Sequence, residues 1–482
     1  VDLLRVGAPG SAPWPDRMRT LLRTPMSERP AFERSADTSA ERGPAARPVP
    51  RVLDLALRIG ELLLGSGEGA EDVEAAMLGV THAFGLDRCE PQVTFTLLAI
   101  SHQPSLVEPP VTAERVVRRR SPDYTRLAAL YRLVGDITAE RAGLEEAYRR
   151  LAGIRRNRHP YPGWALSVAS GSLAGAATLL VGGQLDVQAL LIFVAAFVGA
   201  ALGDRLAWFV SGRGLPEFYQ FVAAATPAAA LGVVITLADS GLRGSAVVTG
   251  GLFALLPGRA MVAAVQDGLT GYYITAAARL LEVVYLVVGI VVGVLLVLYC
   301  GLRLGAQLHP ELGLAAHSLP VLQLPAAMLL TLCFAMVLQT NRRELPFVVL
   351  NSAVGWSVYG ALTVEGRLSP IVATGVAAGL VGLFGQLASR LRHASALPYV
   401  TAALGPLMPG SALYFGLLAM AQGRTDGVTA AGRATALALA LAVGVNLGGE
   451  VARLFLRIAP VEGQGQALPA PLRRGAKRTR GY

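Results

Sequence analysis

The chain has 482 residues, 53% of them hydrophobic and 16% charged, and its mean hydropathy is +0.49. Soluble domains carry roughly 25% charged residues, so this composition reads as a multi-spanning membrane protein. The net charge of +10 splits into +2 over residues 1–160 (23 basic, 21 acidic) and +8 over 161–482 (20 basic, 12 acidic), an excess that falls in short loops and the C-terminal tail. That placement argues for membrane orientation and against nucleic-acid binding.

Residues 1–50 mix Pro, Arg, Ser and Glu without apolar periodicity and are expected to form a disordered tail. They lack the apolar core of a secretory signal, so the N-terminus is expected in the cytoplasm. Residues 51–160 read as a small soluble α+β domain. Leu53, Leu55, Ala56, Ile59, Leu62 and Leu63 recur at helical spacing, and the helix should stop in Gly65-Ser66-Gly67. Val73, Ala76, Met77, Val80 and Phe84 mark a second helix that ends at Gly85. Cys89 to Ser101 (CEPQVTFTLLAIS) is rich in β-formers and predicts a strand, with a partner over Val111 to Arg118. Helices over Tyr124 to Gly135 and Ile137 to Ile154 should lead to the bilayer.

Ten apolar spans follow, near 164–182, 187–203, 218–238, 245–265, 279–300, 319–338, 346–362, 369–389, 396–421 and 434–456. Most approach the ~20 residues that a crossing helix needs. Basic residues favour alternate loops: Arg155, Arg156 and Arg158; Arg205 and Arg213; Arg279; Arg342 and Arg343; Arg390 and Arg392; then Arg473, Arg474, Lys477, Arg478 and Arg480. That alternation predicts an even number of spans with both termini cytoplasmic.

Two stretches echo one another, Thr249 to Arg259 (TGGLFALLPGR) and Thr401 to Ser411 (TAALGPLMPGS). Thr249, Leu252, Pro257 and Gly258 recur 152 positions later as Thr401, Leu404, Pro409 and Gly410. Proline lacks an N–H and crowds the carbonyl four residues back, so each pair should break its span. A membrane tolerates such a break only where protein or a water-lined cavity satisfies the backbone. A packing kink is the competing explanation. Ten spans divide into repeats over 161–305 and 306–459, followed by a basic tail over 460–482. With five spans each, the halves are inverted, as in many secondary transporters.

The run Leu57 to Leu86 (LRIGELLLGSGEGAEDVEAAMLGVTHAFGL), the strand CEPQVTFTLLAIS and the segments Leu256-Pro257-Gly258 and Met408-Pro409-Gly410 resemble the threonine/serine exporter family of bacteria over about residues 52–457. The resemblance implies a cytoplasmic domain fused to ten helices in the cytoplasmic membrane. It also implies export of threonine and serine, driven by the proton gradient or the membrane potential. Relatives thought to export small dicarboxylates such as succinate supply the alternative substrate. A membrane-anchored hydrolase or signalling domain is the alternative of another class.

Thr249, Pro257, Gly258, Arg259, Asn351, Thr401, Pro409 and Gly410 are the candidate substrate-pathway residues, because buried polar groups and broken backbone mark pathways. Arg259 suits a substrate carboxylate or a pair with Asp267. Asp267, Glu282 and Glu450 are the candidate coupling carboxylates, set against interfacial solvation and, for Glu450, a pair with Arg453. Gln386 ranks as a helix-packing residue, as do Gly375, Gly379 and Gly382. Glu71, Asp72 and Glu74 suit the dipole of the helix they open, while Cys89, His82 and His102 lack any signature of a nucleophile and base. The three cysteines have no metal or disulfide spacing, and no GxxxxGK[ST] motif occurs. The expected partners are a small amino-acid substrate and the bilayer, with no cofactor, metal or nucleic acid; self-association stays open.

Overall fold

A computed structural model describes residues 14–22, 49–105, 108–118, 123–156, 160–182, 186–306, 320–392 and 394–457. The basic tail at 460–482 and Arg158 lie outside them. The first element, α1 (Trp14–Leu22), corrects the expectation of disorder for those residues. Its amphipathic face is fixed by the N-terminal α+β domain. Met18 is buried, the Trp14 ring lies 5.3 Å from that of Tyr131, and Arg19 Nε donates to Asp72 over 2.7 Å.

Helices α2 (Val49–Gly65), α3 (Ala70–Ala83), α4 (Tyr124–Thr138) and α5 (Leu144–Arg156) complete the helical part of that domain. Leu53, Ile59 and Leu63 of α2 meet Val73, Met77 and Val80 of α3 in its core. Gly67 and Gly85 adopt φ of +98° and +80°, which lets the chain leave each helix without a Cβ clash. The break between α4 and α5 lies at Ala139–Gly143, later than expected, where Glu140 takes φ +57°.

The expected single strand is a hairpin. Strand β1 (Cys89–Thr94) pairs antiparallel with β2 (Leu97–His102), Thr94 opposite Leu97, and β3 (Val111–Val116) pairs antiparallel with β2, giving the order β1-β2-β3. Val93, Leu98 and Ile100 alternate inward. The turn residues Phe95 and Thr96 carry no Gly, Asn or Asp signal, so the two strands read as one run.

The apolar part comprises α6 (Gly163–Gly182), α7 (Val187–Gly212), α8 (Glu217–Leu237), α9 (Gly244–Leu255), α10 (Gly258–Leu269), α11 (Tyr273–Arg303), α12 (Pro320–Val337), α13 (Leu345–Val364), α14 (Pro370–Arg392), α15 (Leu397–Thr401), a 3-10 turn (Gly405–Leu407), α16 (Gly410–Ala421) and α17 (Asp426–Arg457). Among the described residues seven of these helices are long and apolar enough to cross a membrane, or eight if α9 and α10, bent by 48°, form one span. The protein is thus a mostly helical polytopic membrane protein. Helix occurs at all ten expected positions, but the fourth and ninth are interrupted and α12 is a shorter apolar helix. Large apolar side chains such as Val187, Leu190 and Leu281 point outward, as a lipid-facing surface requires. Trp164, Trp208, Tyr273 and Tyr299 are exposed near helix ends, where aromatic rings suit the interface.

Small residues set the close crossings. A Cβ on Gly444 or Gly448 of α17 would strike the carbonyl of Gly375 or Gly379 in α14. Helix α8 packs on α11, α6 on α12, and the halves exchange contacts: α10 lies against α17, and α16 against α9 and α11.

Candidate functional site

The two Pro-Gly pairs adopt the same local backbone. Gly258 N–H donates to Leu256 O and Gly410 N–H to Met408 O, both over 2.9 Å, so each proline sits at the centre of a tight three-residue turn. Leu256 (φ −60°, ψ 127°) and Met408 (φ −68°, ψ 140°) precede the turns in the same extended conformation. Each proline then starts a new helix, with Pro257 O accepting from Met261 N and Pro409 O from Leu413 N, both over 3.1 Å. Met408 packs over Gly258, and Phe253, just before the first break, packs over Gly410. A side chain at either glycine would collide with the other half's break.

The soluble domain docks on the neighbouring helix ends. Asp267 of α10 is buried; its Oδ1 accepts from Ala70 N over 2.8 Å, so a membrane helix caps α3. Arg279 Nε of α11 lies 3.1 Å from Asp267 Oδ2, and Arg279 Nη2 donates to Glu68 O over 2.7 Å. Ser395, ahead of α15, donates to the Glu68 carboxylate over 3.1 Å. Tyr272 Oη donates to Glu74 Oε2 over 2.5 Å, while Val93 N donates to Glu74 Oε1 over 2.8 Å. At the start of α4, Thr125 N and Oγ1 donate to Gln339 O over 3.1 and 2.7 Å.

Burial holds both interface carboxyls away from their usual range. Glu68 is pushed up to about 8 by burial first and the charge of Asp72 second, against the hydrogen bonds from Ser395 and Tyr131. Burial pushes Glu74 up to about 7, opposed by its bonds to Tyr272 and Val93 N. Glu344, which opens α13, is also raised by burial, with Arg132 and Arg392 acting against that rise.

A cavity of about 960 Å³ opens between the soluble domain and α10, α14 and α17. Glu68, Asp72 and Tyr131 line it from one side, and Gln266, Gln386 and Asn446 from the other. Three carboxamides on three helices offer donors and acceptors without net charge.

The sequence-derived residues distribute unevenly over this geometry. Pro257, Gly258, Pro409 and Gly410 meet at the paired breaks. Thr249 is buried and donates to Ser245 O over 2.9 Å; Thr401 is buried near the second break. Asn351 Nδ2 ties Val381 O to Tyr399 O, each over 3.0 Å, while its buried Oδ1 has no partner. Asp267 pairs with Arg279, while the Arg259 side chain, one reading of which was a pair with Asp267, lies outside the described residues. Glu282 is half-buried on α11 and does not line the cavity; Glu450 lines it, is mostly exposed, and pairs with Arg453. The carbonyls of Ala402 and Gly405, each four residues before a proline, accept from Gly405 N and Met408 N in the 3-10 turn. Gln386, read as a packing residue, lies on the cavity wall. Glu71 and Asp72, read as helix-dipole acids, face Arg19. Cys89 Sγ and His102 Nδ1 come within 3.5 Å, but both are buried and neither lines the cavity.

Sequence reasoning missed Glu68 and Ser395. The signal for Glu68 was present: an acid between Gly67 and Gly69, where the backbone can approach another element closely. A Cβ at Gly69 would indeed lie 3.1 Å from Gln266 Nε2.

The family described as "Putative threonine/serine exporter" matches residues 54–301, and the one described as "Threonine/Serine exporter, ThrE" matches 323–450. The chain is 34% identical over 437 residues to a "Probable threonine/serine exporter" of Mycobacterium tuberculosis, covering 89% of this chain and 78% of that protein. It is 30% identical over 428 residues to a "Threonine/serine exporter" of Corynebacterium glutamicum, covering 85% of this chain and 84% of that one. No solved structure matches significantly. With matches that run from the soluble domain through both Pro-Gly breaks, the chain belongs to the threonine/serine exporter family.

Proposed function

We propose that the protein is a secondary transporter that exports threonine and serine across the cytoplasmic membrane through two inverted five-helix halves. Its family is one of transporters and not of enzymes, and both named relatives are threonine/serine exporters. The observation that carries the mechanism is the pair of equal Pro-Gly turns, each packed on the other half. Helix N-termini at Gly258 and Gly410 present partial positive charge at this junction, where a substrate carboxylate would pass.

The docking contacts support the inverted arrangement. The soluble domain precedes α6, yet it touches Tyr272, Gln339 and Ser395, which follow the fourth, sixth and eighth expected spans. All three positions then lie on its side of the membrane, so α10 descends toward that side while α15 starts from it. Loop charge favours the cytoplasm for this side and for both termini. The cavity opens beside the soluble domain, while Met408 and Phe253 pack across the breaks outside its lining. Such an arrangement supports an inward-facing state. A dicarboxylate substrate fits less well, because the buried Arg279 is committed to Asp267 and Glu68 O.

Efflux of labelled threonine, serine and succinate from vesicles holding the full chain tests the proposal, with and without a proton gradient or potential. Threonine and serine should leave faster than succinate, and only with a driving force. Gradient-independent flux would indicate a channel, and succinate efflux alone would indicate the dicarboxylate reading.

A further inference from the structure

The cavity belongs neither to the soluble domain nor to the membrane helices alone. Four acids line it: Glu68, Asp72, Asp136 and Glu450. Asp72 is held by Arg19, Asp136 by Arg141 and Arg150, and Glu450 by Arg453. Glu68 has no ion pair of its own among the described residues. Asp72 and Arg19 act on its carboxyl from α3 and α1, Tyr131 from α4, and Ser395 from the segment before α15. Arg19, the cation that reaches it, is hydrogen-bonded to Asp72, and Arg279 holds the Glu68 backbone carbonyl. Opposite, on the cavity lining, Gln386 accepts from Ser389 Oγ through Oε1 over 3.4 Å and Asn446 Nδ2 donates to Ala442 O over 2.8 Å, so among the described residues neither carboxamide is paired with a charged group.

We propose that the soluble domain completes the loading site for substrate: Glu68 receives the ammonium group of a small zwitterionic amino acid, and Gln266, Gln386 and Asn446 receive its carboxylate and hydroxyl. This rests on the exporter reading above. Among the described residues the one cation that acts on this buried carboxyl is bonded to another acid, and a ligand ammonium would supply the direct partner. On binding, the Glu68 O–H bond breaks and its proton passes to water, while the ammonium keeps its three protons and pairs with the carboxylate formed. Loading therefore releases one proton on the cytoplasmic side. A dicarboxylate brings no such group.

The test uses the full chain in vesicles with Cys300→Ser, which removes the one exposed thiol among the described residues. Ala394→Cys places a thiol on the cavity wall, and Ser211→Cys places an exposed thiol outside it. Threonine or serine should slow maleimide labelling at position 394 by about threefold or more at saturation, leave position 211 unchanged, and be unmatched by succinate. Glu68→Gln is isosteric with the neutral acid; it should raise KM for threonine about tenfold with little change in maximal rate, and flatten the tightening of KM as pH rises toward about 8. Unchanged labelling at 394 in vesicles that export threonine would overturn this site and leave the exporter reading intact. A Glu68→Gln protein with unaltered KM and pH profile would overturn the ammonium assignment. Vesicles with no threonine efflux at all would overturn the exporter reading itself.

Discussion

Single residues at the docking surface carry more than their own contact. Asp267 satisfies Ala70 N and neutralises Arg279, which in turn holds Glu68 O. Removing one partner of a buried pair strands the other charge, at a cost of about 3–5 kcal/mol. Arg279→Met should therefore lower the unfolding temperature in detergent markedly. The double variant Arg279→Met with Asp267→Asn should recover most of that loss, because Asn keeps an acceptor for Ala70 N and no charge is left alone. Asp267 was legible as an acid with a role, since an acid within an apolar stretch is rarely idle, and the sequence reading made it a coupling candidate. Its partner was not. Arg259 is nearer in sequence, but Arg279 becomes the neighbour only when α10 and α11 fold back at Thr270–Tyr272. Ser395, and its role as the partner of Glu68, were illegible for the same reason at longer range: their meeting joins positions 327 residues apart.

At the level of elements, the breaks and the glycine seams make separate claims. Pro257→Ala restores an N–H and removes the steric cause of the turn, so α9 and α10 can run on as one helix. Threonine efflux should fall about tenfold while the amount of protein in the membrane stays constant. Gly448→Leu should separate α14 from α17 and reduce both stability and efflux, because its Cβ would strike the Gly379 carbonyl. Gly432→Leu on the same helix meets nothing within 4 Å and should be silent in the same assays. The breaks could be read from sequence because proline and glycine act locally, through covalent geometry. The glycine seam was read as helix packing, but the facing residues Gly444 and Gly448 emerge only from the crossing itself. The hairpin at Phe95-Thr96 was lost because turn and strand share one composition, and α1 because its order comes from packing on Tyr131 and Asp72.

For the whole molecule, pH acts at the seam between soluble and membrane parts. The carboxyls of Glu68 and Glu74 titrate near 8 and 7 when folded, against 4.5 in the unfolded chain. The folded state thus binds more protons across that window, so their contribution to stability is full below about pH 4.5 and is lost as pH rises through 7 and 8. Thermal unfolding in detergent should shift down by several degrees between pH 5 and pH 8.5. Combining Glu68→Gln with Glu74→Gln should flatten that dependence.

The docking contacts also impose an order of assembly. The N-terminal domain is synthesised before the partners it docks on: Asp267 and Arg279 follow midway along the chain, and Gln339 and Ser395 later still. Until then Ala70 N lacks its cap and Glu68 its hydroxyl. A helix threaded in the wrong direction would carry one of these partners to the far side of the membrane, where the waiting domain cannot reach it. On the proposed topology, closure of the domain onto the bundle can be completed only by a chain whose helices have crossed in the proposed sense.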